Sequence, residues 1–173
     1  ARHDPTPDIP WIREVLKTYQ NLGFTYLRDG GDRWGAGAKA RELAPEYGIR
    51  YVTPLAPLCA AGHYGSFIGT CYENLKEYAD LVVNHRNNGA DFIKIMVSGI
   101  MDFDRFGVLT EEGLPSDQIK ELVHIAHEEG MSVMVHCNGA RTLEATAMAK
   151  ADSIEHGAYG DEASLTAMAE NGV

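Results

Sequence analysis

The sequence contains Gly89-Ala-Asp-Phe-Ile-Lys-Ile-Met-Val-Ser-Gly99, an apolar stretch with one lysine, Lys94, at its centre. A short run rich in Ile, Val and Phe between two glycines is typical of a β-strand that is buried on both faces. Lysine is almost never fully buried without a partner, because removing its charge from water is costly. The stretch therefore predicts a buried strand whose lysine has a chemical role.

Two strands predicted after this one each end in a histidine. They are Met131-Ser-Val-Met-Val-His136 and Ser153-Ile-Glu-His156, and each passes directly into a glycine-containing turn. The C-terminal ends of parallel strands open on the same face of a sheet. We therefore expect Lys94, His136 and His156 to converge on one pocket, with Lys94 on the same side of the sheet as both histidines.

The composition is that of an ordinary globular domain with an acidic surface. The 173 residues are 45% hydrophobic and 23% charged, which is sufficient to bury a core. The formal net charge of −10 at pH 7 disfavours a nucleic acid or an anionic membrane as a partner. No apolar stretch approaches the ~18 residues of a membrane span and no signal-peptide pattern is visible, so the sequence predicts a cytoplasmic protein. Three cysteines without C-x-x-C spacing (Cys59, Cys71 and Cys137) predict free thiols.

Helical and strand patterns alternate along the chain. After a first helix, strands are predicted near residues 24–28, 49–53, 91–97, 132–136 and 152–156. Such alternation implies parallel strands with right-handed crossovers, in either a doubly wound sheet or a (β/α)8 barrel. A complete barrel needs about 250 residues, and five strands after a first helix look like a segment of one. We therefore predict an α/β fold, a partial (β/α)8 TIM barrel with five parallel strands in sequential order and flanking helices. Residues 1–173 would form a single incomplete barrel domain.

The segment between the second and third predicted strands is less regular. Residues 54–69 have little periodicity and predict a long loop, which in a compact domain tends to be functional. Thr70-Cys-Tyr-Glu73 has the spacing of a capping box and predicts the start of a helix that runs to about Asn88.

The chemistry of Lys94, His136 and His156 points to a metal site. Two imidazoles supply neutral nitrogen ligands. A lysine amine is normally protonated, but in a crowded apolar pocket it can lose its proton and combine with carbon dioxide to give a carbamate able to bridge two cations. A second pair, His124 and His127, lies near the C-terminus of a predicted helix, where the helix dipole favours a structural role.

These motifs resemble the amidohydrolase superfamily. The likeness rests on Gly89–Met96 with Ser98-Gly99, on Val135-His136, on Asp152-Ser-Ile-Glu-His156-Gly157, and on Gly23-Phe-Thr-Tyr-Leu-Arg-Asp29. It is strongest for the branch similar to imidazolonepropionases and prolidase-type metal-dependent dipeptidases, and it extends over nearly the whole chain as about strands two to six of the barrel. The resemblance implies two metal ions per site, commonly zinc. It also implies that Lys94 is carboxylated and bridges them, and that His136 and His156 bind the second ion.

The sequence also departs from the family pattern. The family's first strand carries an H-x-H pair, whereas His3 stands alone, and the family's metal-binding general-base aspartate on the eighth strand has no counterpart in the sequence. The general base is therefore expected outside this chain. By itself the chain is expected to be inactive and to bind metal weakly or not at all.

The leading prediction is an enzyme, a metal-dependent amidohydrolase that cleaves an amide-type C–N bond. Its substrate would be a small cyclic amide or dipeptide-like molecule, attacked by a metal-activated hydroxide. Neither a nucleic acid nor a membrane partner is expected.

Two alternatives remain. Ala90-Asp-Phe-Ile-Lys94 also resembles the Schiff-base strand of deoxyribose-phosphate aldolases, which form a class I aldolase-type barrel. That alternative expects a second lysine at a neighbouring strand end, where this chain carries histidines. The other alternative is a non-catalytic fragment that self-associates through its open barrel edges.

Overall fold

The computed structural model describes residues 6–173, so His3 lies outside the described part. Within that range helices and strands alternate as the sequence predicts, except over residues 50–72, which contain three strands in succession. The helices are α1 (Ile9–Asn21), α2 (Ala36–Leu43), a short 3-10 helix (Ala44–Tyr47), α3 (Leu75–Asn87), α4 (Ser116–Glu128), α5 (Ala140–Met148) and α6 (Glu162–Asn171). The strands are β1 (Tyr26–Arg28), β2 (Arg50–Val52), β3 (Leu58–Ala60), β4 (Thr70–Tyr72), β5 (Ile93–Met96), β6 (Val133–Cys137) and β7 (Ser153–His156).

The strands form two parallel sheets. β1 pairs with β2, and a five-stranded sheet has the order β4-β3-β5-β6-β7. All pairings between these strands are parallel, which confirms the predicted α/β class. The prediction of one sheet with five strands in sequential order is wrong in detail, because the described chain has seven strands in two sheets.

The difference arises in the segment that follows β2. The predicted loop 54–69 contains β3, and the predicted helix start at Thr70 is β4 instead. Helix α3 begins five residues later than predicted, at Leu75, where the Asn74 side chain accepts a hydrogen bond from the Glu77 amide at 3.0 Å. β3 and β4 have three residues each and lie within or next to a segment of little periodicity, so no strand pattern marks them in the sequence.

Two prolines explain why the sheet divides here. Pro54 and Pro57 separate β2 from β3, and proline has no N–H to donate to a strand ladder. The sheets still meet at Thr53, whose amide donates to Asp91 Oδ2 at 2.8 Å and whose carbonyl accepts from the Asp91 amide at 3.0 Å. The end of β2 therefore lies beside the start of β5.

The main core lies on one face of the five-stranded sheet. Ile93 and Ile95 of β5 and Val133 and Val135 of β6 are buried in one cluster with residues of α3, α4 and α5. The helix side chains in this cluster include Tyr78, Val82, Ile119, Leu122, Val123, Ala126 and Leu143. Because side chains alternate along a strand, Lys94 belongs to the opposite face, away from these helices.

None of the helices formed by residues 6–173 is both long enough and apolar enough to cross a bilayer.

The helix-facing core gives a direct stability prediction. Leu122 of α4 is fully buried in the core cluster. Leu122→Ala therefore leaves a cavity and should lower the free energy of unfolding by about 2–5 kcal/mol. Urea denaturation followed by circular dichroism measures the change. Leu165→Ala is the matched control, because Leu165 also lies within a helix but is 57% exposed. Equal losses in the two variants would contradict this assignment of the core.

Candidate functional site

A pocket of about 310 Å³ lies on the sheet face opposite the helical core. Lys94, His136 and His156 all line it, so the structure brings together the three residues that the sequence singled out. The other lining side chains include Arg28, Tyr64, Phe67, Met96, Met134 and Glu155. The pocket thus combines charged, imidazole and apolar groups.

Lys94 projects from the middle of β5 into this pocket. Only 5% of its surface is exposed. Burial lowers the pKa of Lys94 to about 8, while the Glu155 carboxylate opposes this effect and the Arg28 guanidinium adds to it. About a tenth of the amine is therefore uncharged at pH 7, far more than for an ordinary lysine, and this fraction can react with an electrophile.

The charged neighbours of Lys94 form an ion pair that connects β1 with β7. Arg28 donates to Glu155 Oε1 at 2.7 Å and to Ser153 Oγ at 2.9 Å. Sequence reasoning identified neither Arg28 nor Glu155 as a site residue. The sequence did contain a signal for them. On each of two strands far apart in the chain, one charged side chain lies within or at the end of a short, otherwise uncharged run.

His136 lies near the C-terminal end of β6 and is buried. Its Nε2 is 3.2 Å from the Gly99 carbonyl oxygen, and an N–H donated to that oxygen leaves the ring lone pair on Nδ1. Burial lowers the pKa of His136 to about 4; the hydrogen bond to Gly99 opposes this shift, and His156 and Lys94 contribute to it. At neutral pH the ring is therefore uncharged, which is the form that binds metal ions.

His156 reaches the pocket through an unusual backbone conformation. It is paired with Cys137 in the β6–β7 ladder, and Cys137 belongs to the helix-facing core. A regular strand would therefore direct His156 towards the helices. Instead its φ angle is +73°, in the left-handed region that non-glycine residues seldom adopt, and its ring lies 4.8 Å from the ring of His136. Such strain costs of order 1–3 kcal/mol and is concentrated at functional sites.

The loop between β3 and β4 covers His136. The Tyr64 ring stacks on the His136 ring, with a centroid separation of 4.8 Å and an interplanar angle of 25°. Glu111 holds this loop, because its carboxylate accepts from the Tyr64 amide at 2.9 Å and contacts His63 Nδ1 at 2.8 Å. Sequence reasoning predicted a functional loop here but did not identify Tyr64 or Glu111.

The pocket residues are chemically suited to bind part of a metal centre. His136 is neutral at physiological pH, the His156 ring is adjacent to it, and the Lys94 amine loses its proton readily. Within residues 6–173, no group of three or more His, Cys, Asp or Glu side chains is arranged to hold a metal ion. Metal binding by these three residues therefore remains a prediction. In the other histidine pair, His127 Nε2 contacts Asp152 Oδ2 at 2.9 Å.

The buried state of His136 predicts how stability depends on pH. Between about pH 6.5 and pH 4 the unfolded chain binds a proton at His136 that the folded chain does not, so stability should fall as the pH falls through this range. The loss attributable to His136 is about 3 kcal/mol, since each tenfold change in proton affinity corresponds to about 1.4 kcal/mol. Urea unfolding of chelator-dialysed protein at several pH values measures it.

His136→Gln should remove this part of the pH dependence. His124→Gln is the control and should leave the dependence as it is, because His124 is exposed on α4. If all three proteins lose stability in parallel, the folded state does not exclude the proton from His136.

Comparison with solved structures confirms the fold of a partial (β/α)8 barrel. A Xaa-Pro dipeptidase with bound methionine is 24% identical with a TM-score of 0.72, and the match covers 92% of this chain and 43% of the dipeptidase. An A. niger ochratoxinase is 22% identical with a TM-score of 0.72, and the match covers 94% of this chain and 42% of the ochratoxinase. A putative prolidase from Bifidobacterium longum is 19% identical with a TM-score of 0.66, covering 94% and 40%. The chain thus spans less than half the length of these proteins.

The sequence comparisons define the family. No curated protein matches the chain. The model of the amidohydrolase family matches residues 12–173, which is nearly the whole sequence. Together with the partial barrel, this match confirms the predicted resemblance: the chain belongs to the amidohydrolase family.

Proposed function

We propose that this chain carries part of the metal site of a hydrolase that cleaves an amide-type C–N bond in a small molecule. The observation that carries the proposal is the shared pocket of Lys94, His136 and His156 in a chain of the amidohydrolase family. The similarity to a Xaa-Pro dipeptidase and to a prolidase supports a dipeptide-like substrate, with a cyclic amide as the related alternative.

The proposed metal is zinc, with two ions in the complete enzyme. In this chain the two imidazoles would each supply one nitrogen ligand. The buried Lys94 amine, with its lowered pKa, would take up carbon dioxide and bind through the resulting carbamate oxygens. Bound zinc would lower the pKa of a water molecule and polarise the substrate carbonyl.

The other pocket residues would position these ligands. The hydrogen bond from His136 to the Gly99 carbonyl fixes the ring orientation, which is the usual arrangement for a metal-binding imidazole. Glu155 is engaged by Arg28 and by Ser153, so its carboxylate is held in place beside Lys94. The general base is proposed to lie on a residue outside this chain.

The aldolase alternative has one feature in its favour. A desolvated lysine with a lowered pKa is suited to form a Schiff base with a carbonyl substrate. However, Lys94 is the one lysine among the residues that line the pocket, and the neighbouring strand ends contribute His136 and His156. The family membership also favours hydrolysis over aldol chemistry.

Replacing Lys94 in the complete hydrolase tests the proposed function. Lys94→Ala should reduce bound zinc from two ions per chain and lower kcat/KM for dipeptide hydrolysis by more than about 100-fold, because even groups that only support a metal ligand are worth 10–100-fold. Zinc analysis and initial-rate measurements give the two values. Added acetate should restore part of the bound zinc and part of kcat/KM in Lys94→Ala, because its carboxylate can replace the carbamate.

His124→Ala is the matched control and should retain zinc and activity, because His124 is exposed on α4. Full zinc occupancy and activity in Lys94→Ala would overturn the metal role. Trapping of Lys94 by borohydride in the presence of an aldehyde substrate would instead support the aldolase alternative.

The 173-residue chain alone should bind zinc weakly and hydrolyse no dipeptide. Two imidazoles and one unmodified amine give an incomplete site, since catalytic zinc usually has three firm protein ligands. Zinc after dialysis should be well below one equivalent, and Lys94→Ala should change the free energy of unfolding little in this chain. One full equivalent of zinc with turnover would contradict the expectation.

Light scattering on the same sample addresses the proposed self-association. Strand β7 is an edge of the five-stranded sheet, and its backbone groups on that side can pair with a second copy. A dimer mass would support association through such edges, whereas a monomer mass at high concentration would exclude it.

A further inference from the structure

Two cysteines face each other on neighbouring strands outside the proposed metal site. Cys59 of β3 is the register partner of Cys71 of β4, and their Sγ atoms are 2.9 Å apart. Directly paired residues on adjacent strands have Cα atoms about 4.8 Å apart, which falls within the 4.4–6.8 Å range of disulfides. Strand pairing and sulfur separation therefore both fit a disulfide without movement of the backbone.

The two thiols differ in their access to solvent. Cys71 is exposed, whereas Cys59 is fully buried. Burial, reinforced by the contact with Cys71, raises the pKa of the Cys59 thiol to about 12. An oxidant from solution therefore meets the Cys71 sulfur first, and Cys59 is placed to react second.

We propose that Cys59 and Cys71 form a redox modification site, which low-molecular-weight disulfides such as oxidised glutathione convert into an intramolecular disulfide. The Cys71 thiolate attacks oxidised glutathione, forms a mixed disulfide and releases one glutathione thiolate. The Cys59 sulfur then attacks Cys71 Sγ and expels the second glutathione thiolate, which takes up the Cys59 proton. The net reaction converts two protein thiols and one oxidised glutathione into one protein disulfide and two reduced glutathiones.

The loop between the two cysteines is the one that covers the pocket. Gly65 packs directly on Cys59 and Met96: a Cβ atom there would lie 3.1 Å from Cys59 Cβ and 2.7 Å from Met96 Cγ. The adjacent Tyr64 stacks on His136. The disulfide closes residues 59–71 into a covalent ring, so oxidation restricts the motion of the segment that covers His136.

Thiol labelling of the full 173-residue chain tests the proposal. The native protein is incubated with oxidised glutathione, and free thiols are then labelled with N-ethylmaleimide in denaturant for intact-mass and peptide analysis. The reduced protein should take up three labels and the oxidised protein one, at Cys137, with a loss of about 2 Da for the two hydrogens before labelling. Dithiothreitol should restore all three labels, because exposed disulfides are readily reduced.

Two serine variants provide matched controls. Cys71→Ser should keep both remaining thiols free, whereas Cys137→Ser should lose both of its thiols on oxidation. Amide hydrogen exchange of residues 61–69 should slow on oxidation of the native protein and of Cys137→Ser, and stay unchanged in Cys71→Ser.

Several results would overturn the proposal. They are a stable glutathione adduct on Cys71 without ring closure, a disulfide that includes Cys137, a disulfide-linked dimer, and three free thiols after prolonged oxidation. Ring closure with unchanged exchange in 61–69 would reject the effect on the loop.

Discussion

The parallel ladder of β5, β6 and β7 is the constraint on which the pocket depends. Its register pairs Met96 with His136 and His136 with Glu155. The buried Ile93 and Ile95 fix which face of β5 meets the helices, and a slip of one residue would send Lys94 into the apolar core. The same hydrophobic packing that stabilises the fold therefore determines that Lys94 and His136 share the opposite face.

Burial also determines the protonation states in the pocket. Lys94 and His136 are each at most 5% exposed, and desolvation is the main cause that lowers the pKa of both groups. The Arg28–Glu155 pair acts on the pKa of Lys94 in both directions. The Glu155 carboxylate stabilises the ammonium form and raises this pKa, whereas the Arg28 guanidinium lowers it. An uncharged imidazole and an amine with a lowered pKa thus follow from the packing of the sheet.

The segment between β2 and α3 connects the pocket to the edge of the sheet. Pro54 and Pro57 interrupt the barrel strand, and β3 resumes pairing with β5 beyond them. The loop that follows carries Tyr64 over His136 and is held by Glu111. The Cys59–Cys71 pair lies at the base of this loop, so the covering of His136 and the thiol chemistry belong to one structural unit.

The sequence by itself determined the fold class, the three pocket residues and the family. An apolar strand with a central lysine, together with two strands ending in histidine, was enough because strand direction and burial follow from local pattern. Only the tertiary structure decided the division into two sheets, the Arg28–Glu155 pair and the turn of His156 into the pocket. Strand alternation alone places His156 on the helix-facing side with Cys137, and only its positive φ reverses this. Contacts between residues over a hundred positions apart, and a strained backbone held by its surroundings, leave no periodic signal in a sequence.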